Sequence, residues 1–108
     1  MSNLNHQVLR TTEFWGADPA TFEIIETHLS WVFLVNDLAY KLKKPVSLYF
    51  VDTTSLENRK HFCQEEIRLN SRWAQPYYLG VETINGEADA PVLNGDGEVL
   101  DYLVKMRR

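Results

Sequence analysis

Two apolar segments, Leu29–Val35 and Leu38–Lys43, are separated by Asn36-Asp37 alone, and this spacing constrains the chain more than any other feature. Both segments are rich in β-branched, aromatic and aliphatic residues, which favour strands. An Asn/Asp pair between two such runs reads as the turn of a β-hairpin. A hairpin closed by two residues has a fixed register, pairing Val35 with Leu38, Phe33 with Tyr40 and Trp31 with Leu42. One face then carries large aromatic and aliphatic side chains and is expected to be the core face. The other carries Val32, Leu34, Ala39 and Lys41. Its bland reading is a solvated sheet surface along which the lysine stem lies.

The rest of the chain supplies a helix and more strands. Residues 1–17 are read as an arm, the first dozen being polar and loose. Asp18-Pro19 is a helix-start signal, and with Phe22 and Ile25 three apart it predicts a short helix over 18–25. Pro45 ends the second hairpin strand, and Val46–Val51 reads as extended or irregular. Thr54-Ser55-Leu56-Glu57 fits a capping box. The helix it opens is expected to run to Ala74, where Gln75-Pro76 stops it. Tyr78–Ile84 then reads as a strand and Asn85-Gly86 as a turn. Pro91–Leu93, the turn Asn94-Gly95-Asp96-Gly97 and Val99–Met106 form a second hairpin. This order predicts one α+β domain over 18–108, an antiparallel sheet of about five strands with the long helix packed across it. The alternation Leu100, Tyr102, Val104, Met106 runs up to Arg107-Arg108, which reads as a domain cut from a longer chain.

Composition narrows the function classes. Lys and Arg number 11 against 15 Asp and Glu, so the net charge of −4 lacks the basic footprint of a nucleic-acid binder. The longest apolar run, Trp31–Val35, is too short to span a bilayer, and the amino terminus has no secretory signal pattern. One cysteine, Cys63, cannot form an internal disulfide, which points to a reducing cytoplasm. His61 and Cys63, two apart on a helix, point to different sides and make neither a zinc pair nor a catalytic dyad. The Asn94-Gly95-Asp96-Gly97 turn lacks the later glutamate of a calcium loop. Lys43 and Lys44 read as a solvated strand end, with anion binding beside Arg59-Lys60 as the sharper alternative.

The long helix holds the one misplaced charge. Phe62, Leu69 and Trp73 form an apolar stripe, and Glu66 occupies the remaining position on it. Glu65 falls on the polar face with Asn58, His61 and Arg68. A carboxylate on an apolar stripe is costly unless paired. Glu66 is therefore either a marginal residue reaching solvent or one half of an ion pair. Lys41, on the mixed face of the hairpin, is its best partner.

Ala39-Tyr40-Lys41, on the second strand of a hairpin and followed by a helix carrying Glu66, resembles the Ala-x-Lys of the protein-kinase motif and its helix glutamate. The stretches Trp31–Pro45 and Arg59–Asn70, with Tyr78–Val81 and Tyr102–Arg107, look closer to the aminoglycoside-phosphotransferase-like branch. They most resemble the bacterial group that places such a domain before a P-loop ATP-binding domain. The resemblance covers roughly residues 22–108. It implies a kinase-like amino-terminal lobe and ATP with magnesium as the ligand of the longer protein. It also implies that Lys41 holds the α- and β-phosphates, that Glu66 orients it, and that Val32 and Ala39 roof the adenine. Met106 would sit at the back of the pocket, with Arg107-Arg108 entering the hinge.

Two departures are visible. Glu26-Thr27-His28-Leu29-Ser30, where the glycine-rich loop would lie, has no glycine, so backbone amides lose their close approach to phosphates and tight binding by this chain is not expected. No catalytic-loop or Asp-Phe-Gly-like sequence follows, so the resemblance implies half an active site, completed by a carboxy-terminal lobe and inactive alone. The competing reading is an interaction module that keeps the lobe's scaffold without binding nucleotide.

Overall fold

The computed structural model describes residues 4–49, 51–74 and 77–108. The fold is α+β. Six antiparallel strands form one curled sheet in the order β1-β2-β3-β8-β6-β7, where β1 is Glu23–Glu26, β2 Ser30–Val35, β3 Leu38–Lys43, β6 Tyr78–Glu87, β7 Ala90–Leu93 and β8 Val99–Arg107. A separate two-stranded ribbon joins β4 (Ser47–Leu48) to β5 (Val51–Asp52). Helix α2, Leu56–Ala74, packs against β8 and β6.

The hairpin register is the expected one: Trp31 opposes Leu42, Phe33 opposes Tyr40 and Val35 opposes Leu38. Asn36 takes the left-handed conformation the tight turn needs, at φ 53°. Asparagine tolerates that region better than most side chains. Phe33, Val35, Tyr40 and Leu42 are all buried. The element that buries them is not the long helix. Leu4, Leu9 and Trp15 belong to the same core cluster, and the Trp15 ring lies 4.9 Å from those of both Phe33 and Tyr40. Residues 4–17 are thus no loose arm. They form a 3₁₀ turn, Val8–Arg10, and a short helix α1, Thr12–Trp15, capped by Thr11. The indole N–H of Trp15 donates to the Leu9 carbonyl at 2.8 Å, and the Asn5 amide donates to Ala88 on the far hairpin. Three apolar side chains in a polar stretch suffice, because the aromatic face of the sheet offers them a large surface to cover.

Four local expectations are corrected. Pro91–Leu93 and Val99–Met106 do not form a hairpin with each other: β7 and β8 lie on opposite sides of the long strand β6 and each pairs with it. Residues 18–25 do not form a helix. Asp18 closes one turn, its carbonyl accepting from Thr21 and Phe22. The β-branched pair Ile24-Ile25 then extends along the open edge of β2, opposite Phe33 and Val32. Asn85-Gly86 lies inside β6, and the reversal comes at Ala88-Asp89. The buried Asn85 amide donates to the Gly97 carbonyl at 2.9 Å, and a Cβ on Gly97 would come within 2.8 Å of the Gly86 Cα. The dipeptide is a register shift that lets two backbones touch, not a turn. The cap of α2 is Ser55, whose hydroxyl accepts from the Asn58 amide at 3.1 Å, while Thr54 binds the Asp52 carboxylate instead. Gln75-Pro76 and the Trp73 side chain lie outside the described residues, as does Phe50 within the 46–51 segment. Leu69, placed by its spacing on the buried stripe, is 54% exposed.

Truncating Trp15 to alanine removes the largest side chain of the amino-terminal cover, so urea denaturation is expected to show a loss of about 3–5 kcal/mol. A loss below about 1 kcal/mol, the size expected of a surface change, would return residues 4–17 to the status of an unattached arm.

Candidate functional site

The face opposite the aromatic one looks at α2, and it is here that Lys41 and Glu66 meet. The alternation of β3 puts Lys41 beside Val32 and Val104, its cross-strand neighbours on β2 and β8. Helix α2 brings Glu66 over them, and the Lys41 ammonium donates to one carboxylate oxygen at 2.7 Å. Glu65 stays on the outer face with Arg68 at 2.6 Å. The choice between the two adjacent glutamates therefore follows the helical stripe.

Lys43 was expected at a solvated strand end, and the structure corrects this. Its side chain is only 15% exposed, and its ammonium donates to the second Glu66 oxygen at 2.8 Å. The Tyr78 hydroxyl also donates to Glu66, at 3.2 Å. One carboxylate thus holds two lysines and a phenol. Burial alone would raise the Glu66 carboxyl, but the hydrogen bonds and charges of the two lysines outweigh it and hold the group below its ordinary value. Burial, together with the Glu66 charge, pushes the Tyr78 phenol up, so it remains a donor. Lys44 turns to the other side, pairing with Glu26 and lying 5.1 Å from the centre of the Trp31 ring.

A second ion pair seats the helix. Arg59, two turns before Glu66, is buried and donates through Nε to Asp101 of β8 at 3.1 Å and through its terminal nitrogen to the carbonyls of Thr53 and Thr54. Burial pushes the Asp101 carboxyl up, and Arg59 only partly offsets this. The spacing reading missed the pair, although Asp101 is the only acidic residue within Val99–Met106. Lys43 could have been found too, since i and i+2 share a strand face. Cys63, fully buried beside this junction, has its thiol pushed up to about 11 by burial and is no nucleophile at neutral pH.

Between the sheet and the helix lies a cleft of about 340 Å³. Its roof is the β1–β2 turn with Thr27, Leu29 and Ser30, its floor Val32, Lys41 and Lys43, and its far walls Val46, Val51, Thr53, Phe62 and Glu66. The turn closes on itself. The Thr27 amide donates to the Ser30 carbonyl at 2.8 Å and the Ser30 amide to the Thr27 hydroxyl at 3.0 Å. Of the five residues singled out from sequence, Val32, Lys41 and Glu66 come together in the cleft. Ala39 and Met106 oppose each other on β3 and β8, on the same sheet face but outside the cleft lining. Arg108 bonds back to the Thr21 and Asn36 carbonyls and to Glu23. Among the described residues no group of three or more His, Cys, Asp or Glu is placed to hold a metal, and no helix is long and apolar enough to cross a membrane.

Uncharacterized proteins of Mycobacterium tuberculosis, strains H37Rv and CDC 1551, and of Mycobacterium bovis are each 42% identical to this chain over 64 residues. The aligned part is 59% of this chain and 13% of each relative, so the chain spans a small fraction of the proteins it matches. No family model matches the chain, and no solved structure matches it.

A carboxyl held below its ordinary value stabilises the fold above that value, 4.5, and ceases to do so as the pH falls through its lowered folded value. Asp101, pushed the other way, costs stability at neutral pH and is relieved by acid. Glu66→Gln is therefore expected to cost about 2 kcal/mol near pH 7, between the worth of an exposed pair and that of a buried one. The gap should hold down to about pH 5 and close in more acidic buffer. Urea midpoints measured across that range check it; a gap that widens toward acid would contradict the pairing.

Proposed function

We propose that this chain is the nucleotide-facing amino-terminal lobe of a kinase-like phosphotransferase of the aminoglycoside-phosphotransferase type. The observation that carries the reading is the Lys41–Glu66 pair, joining the third strand to the following helix beside a cleft roofed by the β1–β2 turn. In this reading Lys41 holds the α- and β-phosphates of ATP with its magnesium, and Glu66 fixes the ammonium in place. Val32 and Ala39 supply the apolar surface over the adenine, with Met106 behind them. The relatives support it in one respect. They are roughly 490 residues long, 64 residues being 13% of them, which leaves room for the carboxy-terminal lobe and P-loop domain that the reading requires.

The 108-residue sequence contains neither the catalytic-loop nor the Asp-Phe-Gly-like motif whose carboxylates handle metal and acceptor proton in phosphoryl transfer. The chain alone is therefore proposed to bind nucleotide weakly and to transfer nothing. A second reading, an interaction module on the same scaffold, is favoured by one observation. The β1–β2 turn has no glycine, and its own hydrogen bonds occupy the Thr27 and Ser30 amides.

Amide chemical shifts separate the two. Titration with millimolar Mg-ATP is expected to move Val32, Ala39, Lys41 and Met106, to leave the surface pair Glu65 and Arg68 in place, and to lose its effect in Lys41→Gln. ATP hydrolysis should stay at the buffer rate throughout. Shifts absent from that sheet face in the wild-type chain would favour the module.

A further inference from the structure

We infer that Lys43 is a second polyphosphate-binding residue, taking over in this cleft the contacts that the backbone amides of a glycine-rich turn would make. The inference rests on the nucleotide reading above and names a ligand group which that reading leaves without a donor.

Three observations carry it. The first is charge. Among the described residues, the charged ones lining the cleft are Lys41, Lys43 and Glu66, so two ammoniums face one carboxylate there. Tyr78, which also touches Glu66, stays neutral because its phenol is pushed up. Lys44, the next residue, is spent on Glu26 outside the cleft. Much of the wall is apolar, including Val32, Val46 and Phe62. An excess cation in such surroundings attracts an anion more strongly than it would in open water.

The second observation is position. Lys43 opposes Ser30, at the base of the β1–β2 turn, whereas Lys41 opposes Val32 two pairs further in. Lys43 is thus the cation under the roof, where turn amides would otherwise reach a phosphate. The Thr27 and Ser30 amides are already committed within the turn. The third is spacing. The lysines start about 6.7 Å from each other at Cα; their ammoniums now meet on one carboxylate, and once Lys43 leaves it the two stems can part to reach neighbouring phosphoryl groups of one chain. On binding, Lys43 exchanges its Glu66 oxygen for a phosphate oxygen, while Lys41 keeps the other Glu66 oxygen at 2.7 Å. Each ammonium keeps an anionic partner through the exchange. A diphosphate or longer chain is the chemical class that fits.

Isothermal titration calorimetry of the 108-residue chain with sodium tripolyphosphate, orthophosphate and Mg-ATP tests this. Tripolyphosphate is expected to bind at least about tenfold more tightly than orthophosphate. Lys43→Gln is expected to weaken tripolyphosphate and Mg-ATP alike, each by about tenfold, the cost of one charged hydrogen bond. Unchanged affinities in a folded Lys43→Gln chain would overturn the inference. Should Mg-ATP binding still vanish in Lys41→Gln, the nucleotide reading would survive that result. Conversely, tripolyphosphate binding that needs Lys43, with Mg-ATP no tighter and no shift at Ala39 or Met106, would keep the inference and sink the nucleotide reading. If Lys43→Gln does not fold, the wild-type side-chain resonances decide. Tripolyphosphate should move the Cε signals of both lysines, and movement at Lys41 alone would overturn the assignment of Lys43.

Discussion

The two-residue connection between β2 and β3 sets which side of the sheet every later residue can use. Strand side chains alternate with a period of two, so a slip of one residue would exchange the two faces. In the observed register, Phe33, Val35, Tyr40 and Leu42 face the amino-terminal segment, and Val32, Ala39, Lys41 and Lys43 face the other way. A one-residue shift would put two lysines against Trp15 and Leu9. Burying unpaired ammoniums there would cost far more than any alternative packing returns. The apolar cover and the charged cleft thus stabilise the same register from opposite sides.

The same logic seats helix α2. An apolar stripe alone would let the helix slide or rotate on the sheet, since hydrophobic contact is not directional. The two ion pairs are directional. Arg59 with Asp101 pins the first half of the helix to β8, and Glu66 with Lys41 and Lys43 pins the second half to β3. They differ in solvation. The first is sealed at 5% exposure on each side, so removing one partner alone would strand a buried charge. The second borders a cleft, and its lysines are partly exposed at 26% and 15%. A sealed pair suits anchoring, while a pair open to a cleft can exchange partners with an arriving anion.

How much of this the sequence discloses depends on how local each signal is. The β2–β3 hairpin, the long helix and the separation of Glu66 from Glu65 all follow from spacing within a few residues, and all are present. The closing hairpin is not, because β7 and β8 pair with β6 on its two sides rather than with each other. The amino-terminal cover is not legible that way. Leu4, Leu9 and Trp15 show no period, and only the aromatic face they meet makes them core. Ile24-Ile25 became a strand because an open sheet edge outweighed one good capping signal. Asn85-Gly86 has the chemistry of a turn but is needed where two backbones cross, which depends on Gly97 twelve and eleven residues away. At the site, Lys43 was readable from alternation, whereas the partnership of Arg59 with Asp101 joins residues 42 apart in the chain.

The central claim is that the Lys41–Glu66–Lys43 cluster forms the phosphate end of a nucleotide site. Crystals of the chain grown with magnesium and a non-hydrolysable ATP analogue test it most directly. The account predicts density for the phosphates between the β1–β2 turn and β3, within hydrogen-bond distance of both lysine ammoniums, and the adenine over Val32 and Ala39. An empty cleft with Glu66 still holding both lysines, at analogue concentrations that saturate the solution shifts, would contradict it.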